Sequence, residues 1–166
     1  MSEITTPRDL FLHELGDILY VERKLTEEVL PKLIDEVGSS EFRKGLERHL
    51  EQTKDHVRNL EQVFDMLGEE PKAEKCIGFE GLKKEHEELV GEADPALVDL
   101  IDTGAAARTE HYEIAAYSGL MEMARSLGET DAVTLLEENL KQEKEALREV
   151  ESVTKTLRDE LKAATA

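Results

Sequence analysis

Apolar residues recur along most of this chain at spacings of three and four, the signature of α-helices with one buried face. Helix breakers and capping residues divide the pattern into four long segments. The first spans about 7–37, with Thr6 as N-cap, Pro7 in the first helical position and Gly38 just past the end. Pro31 lies inside it and predicts a kink near Leu30, because proline brings no amide hydrogen to the helix ladder. The second segment covers about 40–67 and stops at Gly68. The third, about 95–127, opens at Asp94-Pro95 and closes at Gly128, and the fourth runs over about 131–162. Between the second and third, EEPKAEKCIGFEGL leads into a short helix over about 79–91.

The tight links at 38–40 and 128–129 make antiparallel neighbours, whereas 68–94 is long enough to cross over. The expected fold is therefore all-α: a ferritin-like antiparallel four-helix bundle of two helical hairpins, with a short fifth helix in the crossover. No linker or low-complexity run divides the 166 residues, so one domain, 1–166, is expected.

Stepping about 100° per residue locates the inner face of each segment. In the first, Phe11, Leu15, Ile18, Leu19, Leu25, Val29 and Leu33 surround Glu22. In the second, Leu46, Leu50, Val57, Leu60 and Phe64 centre on Thr53, with His49 and His56 on one shoulder. In the third, Ala106, Ile114, Tyr117, Met121 and Ala124 enclose Glu110, with Glu113 at the edge. In the fourth, Leu136, Leu140, Leu147, Val150 and Leu157 surround Glu143. Few basic side chains face inward to match these acids. An unpartnered buried carboxylate costs several kcal/mol, so a proton, water or a metal cation must neutralise them.

An internal repeat sharpens the picture. When HLEQTKDHVRNL (49–60) is set above NLKQEKEALREV (139–150), Leu50 matches Leu140, Gln52 matches Gln142 and Arg58 matches Arg148. Thr53 then falls opposite Glu143, and His56 opposite Ala146. Each hairpin carries a glutamate on its first helix, Glu22 and Glu113. A two-metal bundle uses Glu-x-x-His on each second helix. Here the pair is divided, with Thr-x-x-His on one copy and Glu-x-x-Ala on the other. Folding the hairpins about residues 39 and 129 puts Glu22 level with His56, and Glu143 within about a turn of Glu113 and Glu110.

The candidate metal ligands are thus Glu22, His56, Glu110, Glu113 and Glu143. Carboxylates with an imidazole suit iron or manganese, and a site so poor in nitrogen suits zinc less well. The alternative is a set of protonated or hydrated structural acids. His49 stands about two turns from His56, too far to share its ion. Tyr117 reads as a core aromatic with a satisfied hydroxyl, although it could also bond a ligand. His111 and Tyr112 leave the stripe and suit a second subunit or the crossover helix. Cys76 is a small buried residue rather than a redox thiol, because no second cysteine exists to resolve it.

Composition narrows the function classes. Aromatic residues are 4% and Trp is absent, so aliphatic side chains must pack the helices. A net charge of −18 argues against nucleic-acid backbones and anionic membranes as partners. No run of about 18 apolar residues is present to span a membrane. The opening MSEITTPRDL does not read as a signal peptide, and a single cysteine fits a reducing cytoplasm.

The segments HLEQT, LEQVF, KCIGFEGL and EHYEIAAY, with the LL-x-x-N-L-x-x-E-K run over 135–144, resemble the YciE/YciF stress-protein family. The resemblance covers about 8–155. It implies a helical bundle related in fold to rubrerythrin and bacterioferritin, a homodimer, and induction under osmotic or other stress. Glu22, Glu110, Glu113 and Glu143 match that family's inward acids. Gln52 stands where the family often has Glu, Leu147 where it often has an acid, and His56 is a histidine in only part of the family. The expected function is a stress-associated protein binding iron, or manganese or zinc, at a carboxylate-rich site, with oxidase or peroxidase-type reactivity. The alternative is a non-catalytic acidic helical dimer with a structural or protective role.

Overall fold

The computed structural model describes residues 4–164. The first three residues of the opening read above and the last two of the expected domain 1–166 lie outside them. The described chain forms α1 (Pro7–Lys24), a π-helical turn (Leu25–Val29), α2 (Leu30–Glu36), α3 (Ser40–Met66), α4 (Ile77–Glu92), a 3-10 turn (Pro95–Leu97), α5 (Val98–Leu127) and α6 (Thr130–Ala164). No strand occurs among the described residues. The helices start and stop within a turn of expectation. The kink expected near Leu30 is realised as the π-helical turn. Pro31 cannot donate to the ladder, and the amide of Leu30 reaches back to the carbonyl of Leu25, so one extra residue is absorbed before the proline. This widened turn begins three residues after Glu22, whose carbonyl accepts from Thr26 Oγ1 at 3.0 Å.

Local chemistry sets the helix ends. Thr6 accepts from the amide of Asp9, and the Asp9 carboxylate accepts from the amide of Thr6 at 2.8 Å, a reciprocal cap. Gly128 closes α5 at φ 80°, a left-handed conformation that glycine adopts without steric cost. At the α2–α3 link, the amides of Gly38 and Ser39 donate to the Asp99 carboxylate at 3.0 and 2.6 Å. At the other end, Arg8 donates to the carbonyl of Leu67 at 2.8 Å. Such long-range ties fix how far each helix slides along its neighbours.

Helix α1 packs on α3 and α5, α6 packs on the same two helices, and α4 lies against α5. Phe11, Leu15, Ile18, Leu60, Leu120 and Leu136 are shut off from solvent and form the centre of the core. The connection before α4 crosses α1 at Gly16, whose carbonyl accepts from the amide of Glu74 at 2.9 Å. A Cβ at residue 16 would stand 2.6 Å from the carbonyl oxygen of Lys72, so no larger residue fits. Tyr112 turns from the inner face towards this crossover, as expected. Its hydroxyl donates to Asp17 Oδ2 at 2.8 Å and lies 3.0 Å from Cys76 Sγ, and Cys76 is buried at the start of α4. His111 is exposed. Among the described residues no helix is long and apolar enough to cross a membrane.

Candidate metal centre

All five residues read from the sequence as candidate ligands are buried, and they come together. Glu22 enters from α1, His56 from α3, Glu110 and Glu113 from α5, and Glu143 from α6. They form two groups that share Glu143. One is Glu22, His56 and Glu143; the other is His49, Glu110, Glu113 and Glu143, with the ligand atoms of each group within 4.8 Å of one another. The sequence shows their helical phases and their approximate levels within each hairpin, but not how one hairpin packs on the other. The packing of α3 and α5 against both α1 and α6 makes Glu143 common to the two groups.

His49 corrects the sequence reading. Its spacing along α3 predicts that it shares no ion with His56, and the two do belong to different groups, with ring centroids 6.4 Å apart. Yet His49 Nε2 stands 3.3 Å from Glu110 Oε1 and 3.8 Å from Glu143 Oε2, which places it in the second candidate group. The divided repeat foretells a deficit of one Glu on α3 and one His on α6. His49, one turn before Thr53 on α3, and Glu110, one turn before Glu113 on α5, supply the missing imidazole and carboxylate. The full set is four glutamates and two histidines. Thr53, at the centre of the α3 stripe, does not reach the site, because its hydroxyl donates to the His49 carbonyl at 2.8 Å. Leu147, expected on the inner stripe of α6, is only half-buried, and Ala146 faces the interior instead.

The hydrogen bonding around His56 defines its chemistry. Its Nε2 lies 2.9 Å from Gln142 Oε1, an oxygen that can only accept, so Nε2 carries the ring proton. In the neutral ring, Nδ1 is then a bare lone pair. It points at Glu143 Oε1 at 2.8 Å and Glu22 Oε1 at 3.3 Å, which also offer lone pairs. Lone pairs at these distances need something between them: a proton, on Nδ1 or on the Glu143 carboxyl, or a metal ion. A ligating histidine is generally oriented in this way, by a hydrogen bond from its other ring nitrogen. Gln142 was legible only as part of the repeat, not as a partner of His56.

A second chain of bonds holds Glu22. Asn59 donates to Asn139 Oδ1 at 2.7 Å, Asn139 Nδ2 donates to the Tyr117 hydroxyl at 3.1 Å, and that hydroxyl donates to Glu22 Oε1. Tyr117 is therefore the satisfied core aromatic expected, and its acceptor is a candidate ligand.

The electrostatics are those of crowded buried acids. Burial, reinforced by Glu143, Glu22 and Glu110, raises the Glu113 pKa well above the usual carboxylate range. Burial, with Glu22 and Glu110, does the same to Glu143. For His56, burial opposes a charge, but Glu22, Glu113 and the Gln142 hydrogen bond outweigh it and raise its pKa. Eight buried side-chain oxygen and nitrogen atoms among the described residues lack a hydrogen-bond partner, and every one belongs to Glu22, His49, His56, Glu110, Glu113 or Glu143. Among the described residues every other buried side-chain nitrogen and oxygen has a hydrogen-bond partner, so the deficit is confined to one place.

Residues 6–163 match a family described as a domain of unknown function, DUF892. The chain belongs to that family. It is 34% identical over 141 residues to protein YciF of Escherichia coli (strain K12), covering 84% of each chain. Among solved structures, YcfI of Rhodopseudomonas palustris, named as a candidate structural protein, shares 40% identity with a TM-score of 0.86 over 90% of this chain and 96% of that one. The E. coli stress protein YciF superimposes equally well, with 31% identity, a TM-score of 0.86, and 94% and 99% of the two chains covered. A Xanthomonas campestris pv. campestris protein at 20% identity and a TM-score of 0.75 shares the fold.

Proposed function

We propose that this family member is a stress-associated, ferritin-like protein that binds iron between two helical hairpins packed as one four-helix bundle domain. The stress association rests on its likeness to YciF of E. coli, whose solved structure is described as that of a stress protein. The observation that carries the metal reading is the confinement of all eight unpartnered buried atoms to four glutamates and two histidines. Each such atom costs roughly 1–3 kcal/mol when left unpaired, more if charged, and a set of lone pairs turned on one another calls for cations. Glu22, His56 and Glu143 would hold one ion, and His49, Glu110, Glu113 and Glu143 the other. Carboxylate and imidazole donors favour iron, with manganese next; the second histidine makes zinc a closer competitor than five ligands alone would. When bound, iron would supply redox reactivity towards O₂ or peroxide, while the chain's own residues fix its ligands and keep bulk water out. A cytoplasmic homodimer is part of this reading.

The test is elemental analysis of protein expressed in iron-supplemented medium, compared with Glu143→Ala. Glu143 serves both groups, so its loss should empty both. Transition-metal content no higher in the native protein than in this variant would refute the proposal.

One observation favours a second reading. The raised pKa of His56 allows a protonated ring to offset part of the acid cluster, as a non-catalytic acidic dimer with a structural role would require. A single proton on Nδ1, however, satisfies only two of the eight atoms, that nitrogen and Glu143 Oε1. This reading requires metal chelation to leave melting temperature and oligomeric state unchanged.

A further inference from the structure

The two halves of the site differ in one respect that ligand geometry does not explain. In the first half, His56 fills the space beside Glu22 and is capped by Gln142. The repeat places Ala146 where that histidine would recur, and Gln52 where its glutamine would. The missing imidazole leaves room. A cavity of about 340 Å³ opens there, with His49, Glu110, Glu113, Gln52 and Ala146 among the residues lining it.

Its walls are of another character. Phe42 and Leu46 of α3, Phe79 and Leu82 of α4, Ala106 of α5 and Val150 of α6 line the space between the acids and the outside. A cavity of about 150 Å³ lined by aliphatic and aromatic groups suffices for benzene, and ligand pockets begin near 300 Å³. The space is therefore far larger than O₂ or a metal ion requires.

Charge restricts what enters. Nine carboxylates line the cavity, against Lys32, Arg48 and Lys83. Arg48 is paired with Glu149 and Lys83 with Glu28, and the buried Asp102 holds His86 Nε2 at 2.7 Å. An anion would meet net repulsion all along the way. Of the other acids, Glu110 and Glu113 stand at the inner end, and Glu36, Glu41, Glu87 and Glu145 are exposed at the rim, where hydration leaves them little hold on a cation. An uncharged, mainly apolar molecule with one polar end meets no such penalty.

We propose that this cavity binds an uncharged, largely apolar molecule of one or two rings, its single hydroxyl directed at the His49–Glu110–Glu113 end. Its role as a substrate of the metal centre rests on the reading above; its binding does not. Ala146 is the residue that makes the room, and α4 supplies a wall that a bundle without the crossover helix would lack.

The test is calorimetric titration of metal-free protein with 4-propylphenol, with 4-propylbenzoate as the anionic control. Ala146→Leu fills the cavity from α6 and Ala106→Phe fills it from α5, so one variant can stand if the other misfolds. Helical circular dichroism verifies folding, and Co(II) uptake is measured on the same samples. One equivalent of the phenol should bind, at least tenfold more tightly than the benzoate, and each folded variant should lose tenfold or more in affinity. Absence of saturable binding to the folded native protein, or binding that both folded variants leave unchanged, overturns the cavity site whatever the Co(II) result. A benzoate that binds as tightly overturns the uncharged ligand. Saturable, variant-sensitive phenol binding without Co(II) uptake supports the cavity and overturns the metal reading instead.

Discussion

Gln142 Oε1 holds His56 Nε2 at 2.9 Å, and so turns the unprotonated side of the imidazole towards Glu22 and Glu143. Gln142→Ala should leave the ligands in place but free the ring to rotate and change tautomer, weakening metal binding about 10–100-fold. Competitive titration with a chelating dye reads the affinity. An unchanged affinity would mean that packing alone orients His56.

The two ligand groups predict separable losses. His49→Ala removes the only nitrogen from one group and His56→Ala the only nitrogen from the other. Each should lower the metal content from two ions to one, whereas Glu143→Ala lowers it to none. Equal loss of both ions in the two histidine variants would show a single, strongly coupled site.

Stability of the metal-free protein should have an unusual pH dependence. Burial and neighbouring acids raise the pKa of Glu113 and Glu143, and that of His56 is also raised. The folded state therefore binds these protons more tightly than the unfolded chain. Their stabilising contribution is complete below the unfolded values, about 4.3 for Glu and 6.5 for His, and is lost as pH rises through the folded ones. Thermal melts of the metal-free protein should show higher stability near pH 6 than near pH 8. Saturating metal, which replaces the protons, should flatten or reverse the trend.

Glu113→Gln should act with opposite sign in the two forms. Without metal it removes a buried carboxylate whose two oxygens lack hydrogen-bond partners, and it should raise the melting temperature by roughly 2–4 °C per kcal/mol relieved. With metal it removes a charged ligand and should lower it. Metal itself, at about 100 times its dissociation constant, adds about 2.7 kcal/mol to the native protein. Differential scanning calorimetry with and without chelator distinguishes the cases.

Tyr117→Phe deletes the hydroxyl between Asn139 and Glu22. It leaves a buried amide hydrogen unpaired and should destabilise the fold by about 1–3 kcal/mol. Urea denaturation measures this, and a cost near zero would show that a buried water replaces the hydroxyl.

The sequence by itself determined the helices, their inner faces and the excess of acid there. Helical phase is a local property: residue type at each step of the turn places Glu22, Glu113 and Glu143 among leucines without knowledge of any neighbouring helix. Caps such as Thr6 and Gly128 were equally legible, because their chemistry lies within one turn. The repeat even disclosed which ligand each second helix lacks. Only the tertiary structure decided how the deficits are met. The positions of His49 against Glu110, of Gln142 behind His56, and of the cavity beside Ala146 depend on how far α3 and α6 slide along their neighbours. That axial register is set by contacts distant in sequence, such as Asp99 with the Gly38–Ser39 link and Arg8 with Leu67, and no periodicity within one helix encodes it.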